Sequence, residues 1–180
     1  MKSTLVSLFL LLMVISAQSQ QNRKINIGIE IDALPYITGG YYGSLWIGHE
    51  HLRYRAIITE ITTPEFFVED GFTNNKINAY TAIVDYFFKP DFRKWWVGVG
   101  LEYWKGSIQT DARTSTSKYE NVITTAGTGY VWKFYKKFYL NPWAALHVRV
   151  AGDNKVMVDS QEFNPPVITP EVSLKIGWHL

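Results

Sequence analysis

The stretch that decides the fold is Val167 to Leu180, VITPEVSLKIGWHL. Apolar residues occupy every second position, and polar residues or glycine stand between them. A period of two predicts a β-strand with one apolar face and one polar face. The apolar face of such a strand needs a protein surface or a membrane to cover it. That face consists of Ile168, Pro170, Val172, Leu174, Ile176, Trp178 and Leu180.

The same alternation recurs along the whole chain and predicts eight strands and no helix. Gly, Pro, Asn and Asp residues separate the strands, as turn signals do. We therefore expect an all-β fold, namely an eight-stranded antiparallel up-and-down transmembrane β-barrel. The predicted strands are residues 24–34, 41–48, 52–61, 76–88, 95–105, 119–132, 138–150 and 167–180.

The connections between the predicted strands alternate in length. Strands 2–3, 4–5 and 6–7 are joined by short turns, whereas residues 63–75, 106–118 and 151–166 form longer loops. Bacterial outer-membrane barrels have short periplasmic turns and longer external loops. This rhythm favours a membrane barrel with both ends of the chain on the periplasmic side.

The first residues of the chain predict export. Lys2 is followed by an apolar run over residues 5–15, and Ala17 and Ser19 place small residues before a cleavage site. This is the pattern of a secretory signal peptide, and the apolar run is shorter than the roughly 20 residues of a spanning helix. We expect residues 1–19 to be a cleaved signal and residues 20–180 to form one barrel domain.

The amino-acid composition argues against several kinds of site and partner. The chain has no cysteine, which excludes disulfides and thiolate metal sites, and its net charge of +2 does not indicate nucleic acid. Charged residues make up 19% of the chain, which is sparse for a surface in contact with water. A soluble periplasmic barrel with its apolar faces inward, binding an apolar ligand, is the alternative.

Aromatic residues make up 16% of the chain. Several cluster where the strands meet the short turns, and others lie near the longer loops. Two aromatic girdles around an aliphatic band are typical of a barrel in a bilayer. The girdle predicted near the short turns contains Tyr86, Trp95, Tyr130, Trp132, Phe138 and Trp178.

The polar faces carry charges that would point into a barrel only wide enough for side chains to fill it. Buried charges need partners, because an unpaired buried ion costs several kcal/mol. We expect an internal salt-bridge network that fills the lumen, and a gated path through it is the other interpretation. The network is predicted to contain Glu30, Arg53, Arg55, Asp85, Glu102, Arg149, Glu171 and Lys175.

Candidate chemistry is limited. His147, Ser173 and Glu171 could form a Ser-His-acid set, but an interior hydrogen-bonded histidine is the simpler interpretation. His49 and His51 have the i, i+2 spacing of two metal ligands on one strand face, but a third ligand is not apparent and a solvated turn is the simpler interpretation. We therefore predict no catalytic residue, no cofactor and no metal site.

The mature chain as a whole resembles the small eight-stranded outer-membrane barrels of the OmpA/OmpX type, and the segment Ala17-Gln18-Ser19-Gln20 resembles signals of Bacteroidota proteins. The C-terminal strand is similar to the signal read by the barrel-assembly machinery, with Trp178 as its aromatic residue. The resemblance implies a structural or surface-interaction role in the outer membrane of a Gram-negative bacterium. The implied partners are outer-membrane lipid, lipopolysaccharide and an unknown protein at the external loops. An enzyme acting on lipid A or phospholipid is the alternative, because some small outer-membrane barrels are lipid A deacylases.

Overall fold

Residues 25–180 are described by the structure, a computed structural model, and eight of their strands close into one barrel. All neighbouring strands are antiparallel, which confirms the predicted eight-stranded up-and-down fold. The predicted signal peptide lies outside the described residues. The barrel strands are β1 (Asn26–Asp32), β2 (Tyr41–His49), β3 (Leu52–Thr62), β4 (Phe72–Phe87), β5 (Lys94–Thr110), β6 (Thr116–Tyr135), β7 (Phe138–Gly152) and β10 (Ile168–His179).

Consecutive barrel strands pair as hairpins, and β1 pairs with β10 to close the ring. The longest ladder joins β5 to β6, from Lys94 opposite Val131 to Gln109 opposite Thr116. The closing ladder is short and runs from Gly28 opposite His179 to Asp32 opposite Lys175.

The two faces of the barrel wall differ in polarity, as the alternation predicted. On β7, Leu146 is 53% exposed on the outside, whereas its neighbours Ala145 and His147 are buried. On β1, Ile29 faces outward and Glu30 is buried. A soluble barrel of the lipocalin type requires the opposite arrangement, so the alternative with apolar faces lining a core is wrong.

The strands β4, β5 and β6 extend further than the sequence indicated. The predicted bounds of the loops at residues 63–75 and 106–118 are wrong. The connections between these strands span only residues 63–71 and 111–115. In the extensions Thr73 lies opposite Gln109, and Ser107 lies opposite Lys118. Cross-strand hydrogen bonds hold these residues in strands although no outward apolar residue marks them, and strand propensity depends strongly on such context.

Short helices occupy two of the connections at the end of the barrel opposite the short turns, which we call the external end. The first strand ends at Asp32, before its predicted end, because helix α1 (Ala33–Ile37) follows at once. Asp32 caps this helix, its Oδ1 accepting from the Leu34 amide at 3.0 Å. A 3-10 helix covers Glu65–Phe67. Within residues 25–180, no helix is long and apolar enough to cross a membrane.

The segment 151–166, predicted as a loop, contains a small hairpin of β8 (Val156–Val158) and β9 (Gln161–Phe163). Asp159 and Ser160 at its tip both have positive φ angles, as the tightest hairpin turns require. The hairpin packs against the inward side of the strand extensions. The buried cluster formed there contains Phe72, Ile108, Tyr119, Val156, Val158 and Phe163.

Candidate functional site: the barrel interior

Aromatic side chains close the end of the barrel at the short turns. Phe92 lies in the β4–β5 turn with φ +52°, yet its ring is buried inside the barrel. It contacts Phe87 and Trp46, with ring centroids 5.3 and 5.7 Å apart. Gly48 makes room for it, because a Cβ at that position would lie 2.5 Å from the Phe92 ring. We call Trp46, Phe87, Phe92, Trp96 and Tyr139 the aromatic plug; all five are buried.

Two arginines and two carboxylates fill the layer above the aromatic plug. Arg53 donates from Nε to Asp85 Oδ2 at 2.7 Å and from Nη1 to Glu30 Oε1 at 2.9 Å. Arg55 donates from Nη2 to Asp85 Oδ1 at 2.9 Å. All four side chains are buried, and alternating charges stabilise one another there far more than they would in water. The sequence predicted these four residues as members of one network, and they contact each other directly.

Aromatic faces complete the environment of the two guanidinium groups. The Arg53 guanidinium carbon lies 4.8 Å from the centre of the Phe87 ring, and that of Arg55 lies 4.8 Å from the centre of Trp96. Arginine stacks well on aromatic rings because its planar group is weakly hydrated. We call Arg53, Arg55, Glu30 and Asp85 the arginine layer. Together with the aromatic plug, this layer forms one continuous block across the lumen.

Lys175 joins the two strands that close the ring. Its Nζ lies 3.2 Å from Asp32 Oδ2 on β1, donates to Ser173 Oγ at 3.1 Å and sits 3.8 Å above the ring of Trp143. The sequence placed Lys175 in the network but left out Asp32. The signal was present, because Asp32 continues the inward row of Glu30 on the same strand.

An acid–histidine cluster lies nearer the external end and connects to Lys175, whose Nζ is 4.0 Å from Glu171 Oε1. His147 Nδ1 is 3.0 Å from Glu102 Oε1, and Nε2 is 2.9 Å from Glu171 Oε2. Thr125 Oγ1 lies 2.8 Å from His147 Nδ1. Ionised carboxylates only accept hydrogen bonds and a neutral imidazole has one N–H, so a second proton is needed to satisfy both contacts. We call Glu102, His147 and Glu171 the upper cluster.

Arg149 is the member of the predicted network that the structure contradicts. The β6–β7 ladder shifts register beside it, between Val122 and Ile123. Its guanidinium donates to the backbone oxygen of Asp153 in the external connection. The inward acids therefore outnumber the inward arginines and lysines, and His147 takes the place predicted for Arg149 as a partner for carboxylates.

The Ser-His-acid alternative is not supported by these contacts. His147 contacts carboxylates on both ring nitrogens, whereas Ser173 accepts from Lys175. Within residues 25–180, no group of three or more His, Asp or Glu side chains is placed to hold a metal ion.

Aromatic residues surround the outside of the barrel at the plugged end. Trp95 and Trp132 are 57% and 58% exposed, and Phe138 stacks on Trp178 with centroids 5.6 Å apart. Tyr130 is half-buried and packs edge-on against Trp95. Tyr86 stacks on His51 of the β2–β3 turn. These residues lie at the strand ends near the short turns.

Asp159 fastens the β8–β9 hairpin to the barrel wall at the external end. It accepts from Thr110 Oγ1 at 2.7 Å and from the hydroxyl of Ser115 in the β5–β6 turn. The hydrogen bonds from Ser115, Thr114 and Thr110 lower the pKa of Asp159 to about 2. The hairpin is therefore anchored by its tip as well as by its buried apolar side chains.

Solved structures of two outer-membrane proteins are similar to this barrel. The chain is similar in structure to the N-terminal β-barrel domain of OprF from Pseudomonas aeruginosa, with a TM-score of 0.57, 14% identity and coverage of 89% of this chain and 98% of that one. The chain has the fold of an outer-membrane β-barrel. A major outer membrane protein from Thermus thermophilus is also similar, with a TM-score of 0.54, 10% identity and coverage of 89% and 100%. No family model matches the sequence, and no curated protein matches it.

Proposed function

We propose that this protein is an integral outer-membrane barrel with a filled, non-conducting interior. The observation that carries the proposal is the polarity of the wall, with apolar residues outside and buried charges inside. Val172 is 76% exposed on the outside, while Lys175 on the same strand is buried. In water this surface would be a continuous apolar patch around the whole barrel, far larger than soluble monomers expose.

The limits of the apolar band support a bilayer setting. Outward aliphatic residues such as Val99 and Leu101 lie between Trp95 near the short turns and Tyr103 nearer the loops. Beyond Tyr103 the next outward residue on β5 is the exposed Lys105. Aromatic girdles at both edges of an aliphatic band fit the two membrane–water interfaces.

The biological role then lies in membrane structure or in contacts of the external connections. Phe66 and Phe67 in the β3–β4 connection are exposed and contact each other, with centroids 4.2 Å apart. They are the best candidates for contact with an unknown protein partner. Lipopolysaccharide and phospholipid would contact the outer wall.

The route to the membrane is also part of the proposal. The sequence supports export to the outer membrane of a Gram-negative bacterium by a signal peptide at residues 1–19. Recognition of β10 by the barrel-assembly machinery is supported by its alternating apolar face, which ends with Trp178 on the outside. The character of the signal segment favours a Bacteroidota source.

Gel mobility of the mature chain refolded in detergent tests the membrane barrel. A folded barrel should migrate differently in unboiled and boiled samples, and circular dichroism of the unboiled sample should be strand-rich. A chain that folds without detergent and shows no mobility shift contradicts the proposal.

Conductance in planar lipid bilayers tests the filled interior separately. The aromatic plug and the arginine layer predict no steady ion current through the protein. Stable current steps from protein whose mobility shift is intact would disprove the filled interior and leave the membrane barrel standing.

A further inference from the structure

Within residues 25–180, six basic side chains gather at the plugged end of the barrel. They lie on two neighbouring connections, the β4–β5 turn and the β6–β7 turn, and on the strand ends beside them. Asp91 is the only acidic residue in these two segments, residues 88–94 and 133–137. We call this group the basic rim, and its members are Lys89, Arg93, Lys94, Lys133, Lys136 and Lys137.

Contacts within the basic rim join the β4–β5 turn to the end of β6. Lys133 Nζ donates to the backbone oxygen of Asp91 at 3.0 Å, which links the β6 end to the β4–β5 turn. Arg93 lies 3.8 Å from the Asp91 carboxylate, and Lys94 is opposite Val131 in the β5–β6 ladder. The β4–β5 turn therefore lies beside the end of β6 that leads into the β6–β7 turn, which places the positive charges of the two segments close together.

The basic rim borders exposed aromatic rings. Trp95 follows Lys94, Trp132 precedes Lys133, and the ammonium of Lys136 lies 5.1 Å from the centre of the Tyr135 ring. Aromatic rings of this kind rest at the level of lipid head groups. Lysine and arginine beside them can bury their stems at the interface and place their charges among phosphates.

We propose that the basic rim binds the phosphate groups of anionic phospholipids in the periplasmic leaflet. This inference rests on the proposed membrane location. A soluble acidic partner would have no use for the ring of exposed aromatic side chains at the same height, whereas a phospholipid uses both features. Lys and Arg residues close to a membrane surface attract anionic lipid electrostatically, and their contributions add within one cluster.

Tryptophan fluorescence can measure this binding, because the outward tryptophans lie at the same end of the barrel. Trp95, Trp132 and Trp178 are exposed there, whereas Trp46 and Trp96 are buried in the lumen. The mature protein would be folded into two sets of phosphatidylcholine vesicles that contain the same minor fraction of phosphatidylglycerol. The two sets differ only in which lipid is brominated. One set carries bromine on the phosphatidylglycerol, and the other carries it on an equal amount of phosphatidylcholine.

Enrichment of the anionic lipid should make quenching by brominated phosphatidylglycerol about two-fold stronger than quenching by brominated phosphatidylcholine. The variant Lys89→Gln/Lys136→Gln/Lys137→Gln should lose this preference. The matched control Lys76→Gln/Lys105→Gln/Lys118→Gln removes the same charge from outward positions at the external end and should retain it.

Equal quenching of the wild type in both sets would overturn the inference, as would equal loss of preference in both triple variants. If neither set of vesicles quenches the tryptophan fluorescence, the chain is not in the bilayer, and this result contradicts the proposed function. Mobility shifts verify folding of each variant. If the first triple does not fold, Lys136→Gln/Lys137→Gln should show a partial loss, and an unchanged preference in it would refute the proposal.

Discussion

Arg53 and Asp85 are direct partners in the β3–β4 ladder, and inside the barrel Arg53 Nε donates to Asp85 Oδ2 at 2.7 Å. The register of this ladder therefore fixes where the charge lies, because a one-residue slip of β3 against β4 would turn Arg53 to the outward-facing row. Asp85 also accepts from Arg55, so one carboxylate serves both guanidinium groups.

The change Asp85→Asn should therefore destabilise the barrel strongly. Removing one partner of a buried ionic group leaves uncompensated charge and costs about 3–5 kcal/mol. Unfolding by urea in lipid vesicles measures the effect. Asp91→Asn is the matched control, because that side chain is exposed, and its effect should stay below about 1 kcal/mol. Equal losses in both variants would contradict the role of Asp85.

The change Phe92→Ala should lower the free energy of unfolding by about 3–5 kcal/mol, as expected for a large ring removed from a packed interior. Phe88→Ala, only a few residues away, is the control, because Phe88 is exposed on the outer wall. Urea unfolding of both variants in vesicles provides the comparison. A mild Phe92→Ala variant would show that the ring is not needed to fill the lumen.

The faces of β7 predict opposite outcomes for two adjacent residues. Leu146→Arg places a charge against lipid at mid-strand and should cost about 2–4 kcal/mol, which impairs membrane insertion. Ala145→Ser, on the inner face, should insert normally. The fraction of protein with an intact mobility shift after refolding into vesicles is the measurement. Equal insertion of the two variants would mean that the faces are assigned wrongly.

The upper cluster predicts coupled effects of mutation. His147→Ala removes the group between Glu102 and Glu171 and should cost about 3–5 kcal/mol by leaving two carboxylates together. Glu102→Gln should be less damaging when His147 is already replaced than in the wild type, because it then relieves repulsion. A double-mutant cycle by urea unfolding measures the coupling, expected at about 1–3 kcal/mol. Additive effects would argue against a direct interaction.

The hydrogen bonds to Asp159 should stabilise the external end in a way that depends on pH. Its pKa is lowered from 3.8 to about 2 by hydrogen bonds to its charged form. A depressed folded-state pKa means that the stabilisation is fully present above the ordinary value and is lost as the pH falls through about 2. The NMR shift of the Ser115 amide, which contacts Asp159 Oδ2, should follow that titration. In Asp159→Asn the Ser115 shift should not titrate near pH 2, and a wild-type midpoint at the ordinary 3.8 would contradict the contact.

The alternation in the sequence was sufficient to predict the eight barrel strands and the faces of the wall, but the expectation of no helix was wrong and the β8–β9 hairpin was missed. Each barrel strand carries an outward-facing row and a lumen-facing row of side chains, so the period of two appears without interruption in segments such as 138–148. The central pairing of Arg53, Arg55, Glu30 and Asp85 was also predictable in kind, because buried charges need partners.

The remaining features depend on geometry that one strand cannot specify. Lys89, Pro90 and Asp91 indicate a turn, but nothing local shows that Phe92 enters the lumen, since its site is created by Gly48 on another hairpin. Arg149 has the correct parity for the interior, and a register shift together with its long side chain directs it to Asp153. The partners across the lumen likewise follow from strand tilt, which alternation does not determine.

The closing ladder between β1 and β10 has a consequence for how the barrel assembles. Every other barrel ladder joins barrel strands that follow one another along the chain, with only the β8–β9 hairpin lying between β7 and β10, so those ladders can form at little loop-closure cost. The β1–β10 ladder must instead bring the two ends of the domain together. It is also short, and its last pair, Asp32 with Lys175, can form its buried ion pair only after the ends meet. Ring closure is therefore expected to be the late, slow event of folding. The ion pair forms after this rate-limiting step and stabilises the closed ring.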